Sequence, residues 1–327
     1  MKDDAVAPVI AVMLILAAAV TFFAIFNGIY IPSLKQASDA GHLRNVESSF
    51  QYFSSDIERA VAAGQDRMTL SEPVPLGGGD VFLNTLKSGG SLSVTDEPSP
   101  AYNLTLYDGI ASVGTMNGTL VRISYDPVGN FWQDQGYVWQ YGYLNVTKYG
   151  TRQAPLNYYN MTDVRNGFGH NGPLAAFAGS FGDVDHTANL TLLPDTDAGG
   201  TVVSYSSRDG DCSNIVLHAV NLTASPDHPF ASGNGFGKLG LESRVESVTY
   251  ASVDSITVTS DGQPFGDAAF NSWNESFSVL AGQCGNTIGY TPVPGYTSDR
   301  LGLYTLYREK SPVNVTLNVL HIEVGAY

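Results

Sequence analysis

Residues 5–26 read AVAPVIAVMLILAAAVTFFAIF, and this stretch decides the architecture of the chain. Thr21 carries its only non-apolar side chain. About 20 apolar residues cross the hydrocarbon core of a bilayer as an α-helix, so the stretch is long enough to span a membrane. A cleaved secretory signal normally has a shorter apolar core preceded by basic residues, whereas residues 1–4 here are MKDD. The sequence therefore predicts a hydrophobic transmembrane helix over residues 1–32.

A second helical pattern follows. Asn27, Gly28 and Pro32 interrupt the apolar run and could kink the helix at the membrane surface. Beyond them, apolar residues recur at spacings of three and four, which predicts an amphipathic helix over residues 33–64. The apolar stripe is formed by Leu43, Val46, Phe50, Phe53 and Ile57 with Ala60, and the polar face by Asp39, Arg44, Glu47, Gln51, Asp56 and Arg59. This stripe must be covered either by a domain of the same chain or by neighbouring copies of the helix.

Residues 65–327 lack this helical period and show twofold alternation between turn residues instead. The predicted strands are 80–86, 91–95, 102–107, 119–125, 137–147, 201–206, 215–223, 245–250, 255–259 and 314–323. The composition, with 35 Gly, 16 Pro and 18 Tyr, also favours many short strands and turns. The predicted fold class is α+β: a long N-terminal hydrophobic and amphipathic α-helix followed by a predominantly antiparallel β-sandwich domain. Residues 153–200, rich in Gly, Asn, Asp and Pro, are either a long insertion or a boundary between two lobes.

Charge and motifs exclude several classes of function. The formal net charge is −15, and nucleic-acid binding needs clustered Lys and Arg, so we expect no nucleic-acid partner. The sequence contains neither HExxH nor the GxSxG nucleophile elbow. The six His residues stand at no spacing typical of metal ligands. We therefore expect no enzyme, no catalytic residue and no cofactor-binding residue.

Paired carboxylates leave one open alternative, a structural Ca²⁺ ion. Ca²⁺ takes oxygen ligands from acidic loops, and the candidates are Asp183, Asp185, Asp195, Asp197, Asp209 and Asp211. None completes an EF-hand, because the twelfth position counted from Asp195 is Ser206, which cannot supply a bidentate carboxylate. We expect these residues to lie in solvated turns, with a structural Ca²⁺ ion as the alternative.

Asn-X-Ser/Thr sequons occur throughout the predicted β-domain. They are Asn103, Asn117, Asn145, Asn160, Asn189, Asn221, Asn274 and Asn314. Their number suggests N-glycosylation of an exposed domain, although Asn and Thr are also common in β-turns and edge strands. Cys212 and Cys284 could form one disulfide in an oxidising exterior, or remain two unpaired buried thiols.

Aromatic residues concentrate on one predicted hairpin, at Trp132, Tyr137, Trp139, Tyr141 and Tyr143. Alternation would place the last four on one face of a strand. Such a face could stack sugars or contact a partner subunit, or it could be the packed face of the sheet.

Residues 3–14, DDAVAPVIAVML, resemble the N-terminal signature of archaeal type IV pilin-like proteins, which reads approximately DDAVSPVIGVILM. Ala7 and Ala11 stand where that signature usually has Ser and Gly. Residues 89–94 (GGSLSV) and 131–142 (FWQDQGYVWQYG) are similar to an uncharacterised family of archaeal pilin-like surface proteins. The resemblance implies a cell-membrane or cell-surface location with the β-domain outside, and no known chemistry.

This resemblance leads us to expect a structural subunit or minor component of a type IV pilus-like filament, whose partners are copies of itself or other pilins. The residues expected to carry anchoring and assembly are Val6, Pro8, Val9, Ile10, Val12, Met13, Leu14, Ile15, Leu16, Val20, Phe22, Phe23, Ile25 and Phe26. The alternative is a monomeric membrane anchor that displays an adhesion domain for a glycan, an S-layer or another cell. Processing of the N terminus would favour assembly, and retention of Met1 would favour the anchor.

Overall fold

The computed structural model describes residues 6–77, 88–109, 111–128, 134–148, 151–169, 172–188, 191–196, 202–208, 212–253, 255–283, 289–292, 304–307 and 313–327. Within them, a long N-terminal apolar helix leads into mostly antiparallel β-sheets. This confirms the predicted α+β fold class.

One continuous helical rod begins the chain. It consists of α1 (Val6–Ile25), a π-helical segment (Phe26–Tyr30) and α2 (Ile31–Ala63). Pro32 has no N–H to offer the carbonyl four residues back and would clash with it in a regular α-helix. The wider π turn, in which the Ile31 N–H bonds the Phe26 carbonyl, accommodates the proline. The predicted interruption is therefore a π-helical segment, and the rod ends at Gly64, which adopts φ +58°.

The strands of the β-domain belong to three large sheets and one hairpin. They are β1 (Thr69–Pro75), β2 (Gly89–Asp96), β3 (Tyr102–Asp108), β4 (Ala111–Gly118), β5 (Val121–Val128), β6 (Gln135–Gln140), β7 (Tyr143–Lys148), β8 (Thr151–Pro155), β9 (Gly182–Ala188), β10 (Thr191–Thr196), β11 (Val202–Arg208), β12 (Cys212–Ala224), β13 (Phe230–Gly233), β14 (Phe236–Val253), β15 (Ser255–Ser260), β16 (Gly289–Pro292), β17 (Tyr304–Tyr307) and β18 (Val313–Ala326). The sheet orders are β1-β14-β18-β12-β9, β13-β2-β5-β6-β7-β8 and β16-β17-β15-β3-β4, with β10-β11 as the hairpin.

Strand β18 occupies the centre of the first sheet, between β14 and β12. It runs antiparallel to β14 and parallel to β12, with Ile215 opposite Val315. Among the strand pairs that the structure describes, this is the one parallel pair. Val315, Ile322 and Val324 are fully buried, as expected for a strand covered on both faces.

Among the residues described after Gly64, two short helices, α3 (Met161–Gly167) and α4 (Pro173–Gly179), and one longer helix, α5 (Pro264–Gln283), interrupt the strands. They correct the expectation that helical periodicity disappears after Gly64. In α5, Phe265, Ala269, Trp273 and Phe277 are buried and recur every four residues. Gly, Asn and Ser between them weaken the pattern in the sequence, and Gly and Asn are poor helix formers.

Most predicted strands lie within or overlap observed ones, whereas 80–86 lies outside the described residues. The predicted strand 137–147 was too long, because it contains β6, a turn and β7. Tyr141 and Gly142 form that turn with φ of +56° and +84°, the backbone signature of a type I′ hairpin. The predicted region 153–200 contains α3, α4, β9 and β10, and its role as an insertion or a lobe boundary stays a prediction.

Candidate functional site

The candidate site is the N-terminal rod. The apolar side chains of its two halves, α1 and α2, differ in how far the rest of the chain buries them. In α1, large apolar side chains are exposed along the described length, for example Leu14 at 66 %, Ile15 at 69 % and Phe23 at 61 %. No residue of its apolar window is buried by the described chain. This is one N-terminal helix that is long and apolar enough to span a membrane. Leaving one such side chain in water rather than burying it forfeits about 1.5–3 kcal/mol, so α1 requires an apolar surrounding.

The polar side chains within α1 are satisfied locally. The Thr21 hydroxyl donates to the Ala17 carbonyl at 2.8 Å. Just beyond α1, the Asn27 amide donates to the Phe23 carbonyl at 3.0 Å. An unsatisfied polar group in hydrocarbon costs several kcal/mol, so these bonds let the helix enter an apolar medium without that penalty.

A stack of three aromatic rings marks the end of α1. The Phe22 and Phe26 ring centroids are 6.1 Å apart, and those of Phe26 and Tyr30 are 5.3 Å apart. Aromatic side chains, Tyr and Trp above all, favour the boundary between lipid and water. The stack is therefore consistent with a membrane boundary near Tyr30.

In α2, by contrast, the apolar stripe is covered by the same chain. The predicted stripe residues Leu43, Val46, Phe50, Phe53 and Ile57 are all buried in the single hydrophobic core of the domain. The sequence had left open whether this cover comes from the chain itself or from neighbouring copies. The structure selects the first alternative.

Hydrogen bonds to two sheets reinforce this packing along the helix. The Ser49 hydroxyl donates to the Pro73 carbonyl of β1 at 2.7 Å. The indole N–H of Trp139 in β6 donates to the Ser54 hydroxyl at 2.9 Å. Side-chain bonds at separate levels fix the rotation of α2 as well as its distance from the sheets.

The N-terminal part of α2 differs from the sequence expectation. Asp39, predicted on the polar face, is only 4 % exposed, and Lys35 is 5 % exposed. His42 is also buried, and its Nε2 lies 2.9 Å from the Tyr125 hydroxyl oxygen. Burial lowers the pKa of His42 below its ordinary value, with the Asp39 carboxylate opposing the shift. Helical periodicity alone could not show that the domain covers this end of α2.

The aromatic hairpin is divided by its turn. Tyr137 and Trp139 are 1 % exposed and face α2. Tyr143 pairs with Gln140, so it lies on the opposite face of the sheet. The expectation that 137, 139, 141 and 143 share one face is therefore wrong, because the two-residue turn ends the alternation. Trp132 lies outside the described residues.

A buried polar cluster on that opposite face escaped the sequence analysis. The Glu97 carboxylate accepts from the Gln140 amide at 2.9 Å and lies 3.2 Å from the Arg122 guanidinium. It also accepts from the Tyr141 hydroxyl, and burial, with the carboxylate second, raises the pKa of Tyr141 to about 12. These residues hold the β6–β7 turn, whose Tyr141 adopts the left-handed conformation. The members of this cluster come from separate parts of the chain, so no local sequence motif predicts the cluster.

Three of the six candidate Ca²⁺ residues lie in the part of the chain that the structure describes, and all three are in strands. Asp183 and Asp185 lie in strand β9 rather than in a turn, and Asp195 lies in β10. Asp183 accepts from the Ser276 hydroxyl at 3.0 Å. Asp197, Asp209 and Asp211 lie outside the described residues. Within the residues that the structure describes, no group of three or more His, Cys, Asp or Glu could hold a metal ion.

The sequon asparagines differ in accessibility. Asn117, Asn160 and Asn314 are exposed, whereas Asn103, Asn221 and Asn274 are half-buried. The side-chain Oδ1 of Asn160 caps α3 by accepting from the Thr162 and Asp163 backbone N–H groups. Asn145 is only 3 % exposed, and its glycosylation stays a prediction. Asn189 lies outside the described side chains.

The predicted disulfide stays a prediction. Cys212 begins β12, and Cys284 lies outside the described residues.

No protein-family model, no curated protein and no solved structure matches this chain.

Proposed function

We propose that this chain is a structural cell-surface protein, a subunit or minor component of a type IV pilus-like filament that is anchored and assembled through α1. The observation that carries the proposal is the contrast within one rod: α2 has its stripe covered by its own domain, whereas α1 has no cover. A helix of this kind needs an apolar partner along its whole length. A bilayer supplies one before assembly, and the α1 helices of other copies supply one afterwards.

The continuity of the rod supports a mechanical role. The helix runs from Val6 to Ala63 through the π-helical segment without a break, and α2 is fixed to the β-domain over most of its length. A force applied to α1 would therefore reach the domain through a helix rather than through a loop. The β-domain then forms the outer surface of the assembly.

An extracellular orientation is part of the proposal. The resemblance of residues 3–14 to archaeal pilin-like proteins favours it. So do the exposed sequons at Asn117, Asn160 and Asn314, which glycosylation outside the membrane could use. The β-domain is large for a major filament subunit, which favours a minor component, and we assign the chain no catalytic role.

The test is intact mass and N-terminal sequencing of the native protein from cell-envelope and sheared extracellular fractions. A shortened N terminus near Ala5, found in sheared filaments and carrying glycan mass, is the expected result. An intact Met1 found only in the membrane fraction would overturn filament assembly. That outcome would leave a monomeric anchor that displays a surface-binding domain.

A further inference from the structure

We propose that one end of the β-domain, marked by Val128 and Phe236, rests in the membrane–water interface and contacts lipid directly. This inference rests on the proposed function, because it requires α1 to lie in a bilayer. It adds a second contact with the membrane, made by the domain itself, and we call this end of the domain its base.

A chain of hydrogen bonds fixes the level of the base along the helix. His42 meets the Tyr125 hydroxyl, which donates to the Leu76 carbonyl at 3.2 Å. The Leu76 N–H in turn donates to the carbonyl of Gly235, the residue before Phe236, at 2.8 Å. Phe236 therefore lies near the level of His42, about 18 Å along the helix from Tyr30 at 1.5 Å per residue.

Val128 lies closer still to the membrane end of the rod. In β5, Ile123 is paired with Trp139, which bonds Ser54, whereas Tyr125 meets His42. The strand thus runs toward the start of α2, and Val128 lies about 10 Å beyond Tyr125 at 3.3 Å per residue. The base consequently extends toward Tyr30 from the level of His42.

The burial of Lys35 shows independently how far the domain extends along the helix toward Tyr30. Lys35 is 5 % exposed, so other parts of the chain cover the helix to within five residues of Tyr30, which is about 8 Å. The headgroup region of each leaflet is about 5–8 Å thick, from a bilayer of 40–45 Å with a 30 Å hydrocarbon core. The part of the base nearest Tyr30, on the side of Val128, therefore comes within the depth of the headgroups when α1 spans the membrane. Phe236, about 18 Å from Tyr30 along the helix, reaches that depth only if α1 tilts toward the domain.

The length of the apolar run brings the base lower on one side. Residues 6–31 rise by about 39 Å as a helix, which exceeds the 30 Å hydrocarbon core of a typical bilayer. A helix that is too long for the core accommodates by tilting. Because the β-domain lies to one side of α2, a tilt toward that side lowers the base into the interface.

The side chains at the base fit an apolar boundary. Phe236 is 79 % exposed, the highest value for any described phenylalanine, and Val128 is 60 % exposed. Asp126 lies two residues before Val128 in β5 and interacts with the nearby Asp134, so an anionic lipid surface would repel this end of the domain. The partner that fits is an uncharged or zwitterionic lipid interface.

The test reconstitutes the full chain in vesicles of phosphatidylcholine, with bromine on the acyl chains close to the headgroups as a fluorescence quencher. Phe236→Trp adds one reporter at the base, Val128→Trp adds a second, and the wild type supplies the background. Tyr159→Trp is the matched control, since Tyr159 is 95 % exposed and precedes α3, away from the base. We expect loss of most of the added fluorescence for Phe236→Trp and Val128→Trp, and little loss for Tyr159→Trp.

A reporter in α1, Phe23→Trp, separates this inference from the proposed function. If Phe23→Trp is quenched and neither base reporter is quenched more than Tyr159→Trp, the lipid contact of the base is overturned while membrane anchoring stands. If Phe23→Trp itself is not quenched, membrane anchoring fails and the lipid contact fails with it. Cross-linking of position 236 to a second copy in place of lipid would also overturn the inference.

Discussion

The two halves of the N-terminal rod form one continuous helix, but the β-domain covers only the second half. In α1, apolar side chains point in all directions and the described chain covers none of them. In α2, apolar side chains form one stripe, and the β-domain covers that stripe completely. A helix that is apolar on all sides needs an apolar medium, whereas a helix with one apolar stripe needs one packed neighbour. The comparison separates the part of the rod that seeks an outside partner from the part that is already satisfied.

The largest difference is expected in the stability of the β-domain. Phe50 is 1 % exposed and packs against Tyr137, so Phe50→Ala should lower the free energy of unfolding by about 3–5 kcal/mol. Phe23→Ala makes the same change at a side chain that is 61 % exposed, and it should leave this free energy unchanged. Denaturant unfolding of the detergent-solubilised chain measures both. An equal loss in the two variants would contradict the comparison.

Membrane association, in contrast to domain stability, should depend on α1 and not on α2. Leu14→Arg places a charge in the middle of α1, where insertion scales assign a cost of about 2.5–3.5 kcal/mol. Tyr52→Arg is the matched control on α2, since Tyr52 is 65 % exposed and Leu14 is 66 % exposed. We expect Leu14→Arg alone to reduce the fraction that floats with vesicles after cell-free synthesis. A similar reduction with Tyr52→Arg would mean that α2 also enters the lipid.

Part of the pH dependence of stability should come from His42 in α2 and none from α1, which has no titratable side chain. Burial holds the pKa of His42 below the ordinary 6.5, so between the two pKa values the unfolded chain binds more protons than the folded one. The contribution of His42 to stability is therefore fully present above pH 6.5 and falls as the pH is lowered through 6.5 toward its folded pKa. Unfolding measured across this range should show a smaller fall in His42→Gln than in the wild type.

Part of that fall will remain in His42→Gln, because burial also lowers the pKa of His321, with Glu246 opposing the shift. An undiminished fall in the variant would show that His42 does not sense the packing of α2.

The smallest effect concerns the outer face of α2. Gly41 lies there with nothing within 4 Å of an added Cβ, so Gly41→Ala should raise the free energy of unfolding by about 0.5–1 kcal/mol. Gly64→Ala is the control with the opposite sign, because φ +58° costs a residue with a Cβ about 1–2 kcal/mol. If Gly41→Ala keeps its stability but blocks filament formation, the outer face of α2 also packs on another copy.

Local patterns predicted the elements of the fold well, because the hydrophobic pattern of each element lies within a short run of consecutive residues. The uninterrupted apolar run of α1, the stripe of α2 and the alternation in β2, β3 and β15 are all properties of short windows. The stripe residues from Leu43 to Ile57 were also predicted correctly from their spacing. The spacing did not show which surface covers them.

Features that depend on distant partners could not be predicted in this way. The parallel pairing of β12 with β18 joins residues about 100 positions apart, and alternation does not encode which strands pair. Asp39 and Lys35 have the composition of a solvated helix face, and only the position of the domain buries them. The misplacement of Tyr143 arose from a turn that Tyr141 occupies against its usual backbone preference.

The central position of β18 has a consequence for the order in which the molecule matures. Without residues 313–326, β1 and β14 have no bond to β12 and β9, so the five-stranded sheet cannot close. In a polypeptide translocated from its N-terminal end, α1 reaches the lipid early, while the sheet beside α2 waits for one of the last strands to be delivered. If α1 enters a membrane as proposed, its insertion precedes the closure of this sheet, and the domain is completed only when β18 has joined β14 to β12.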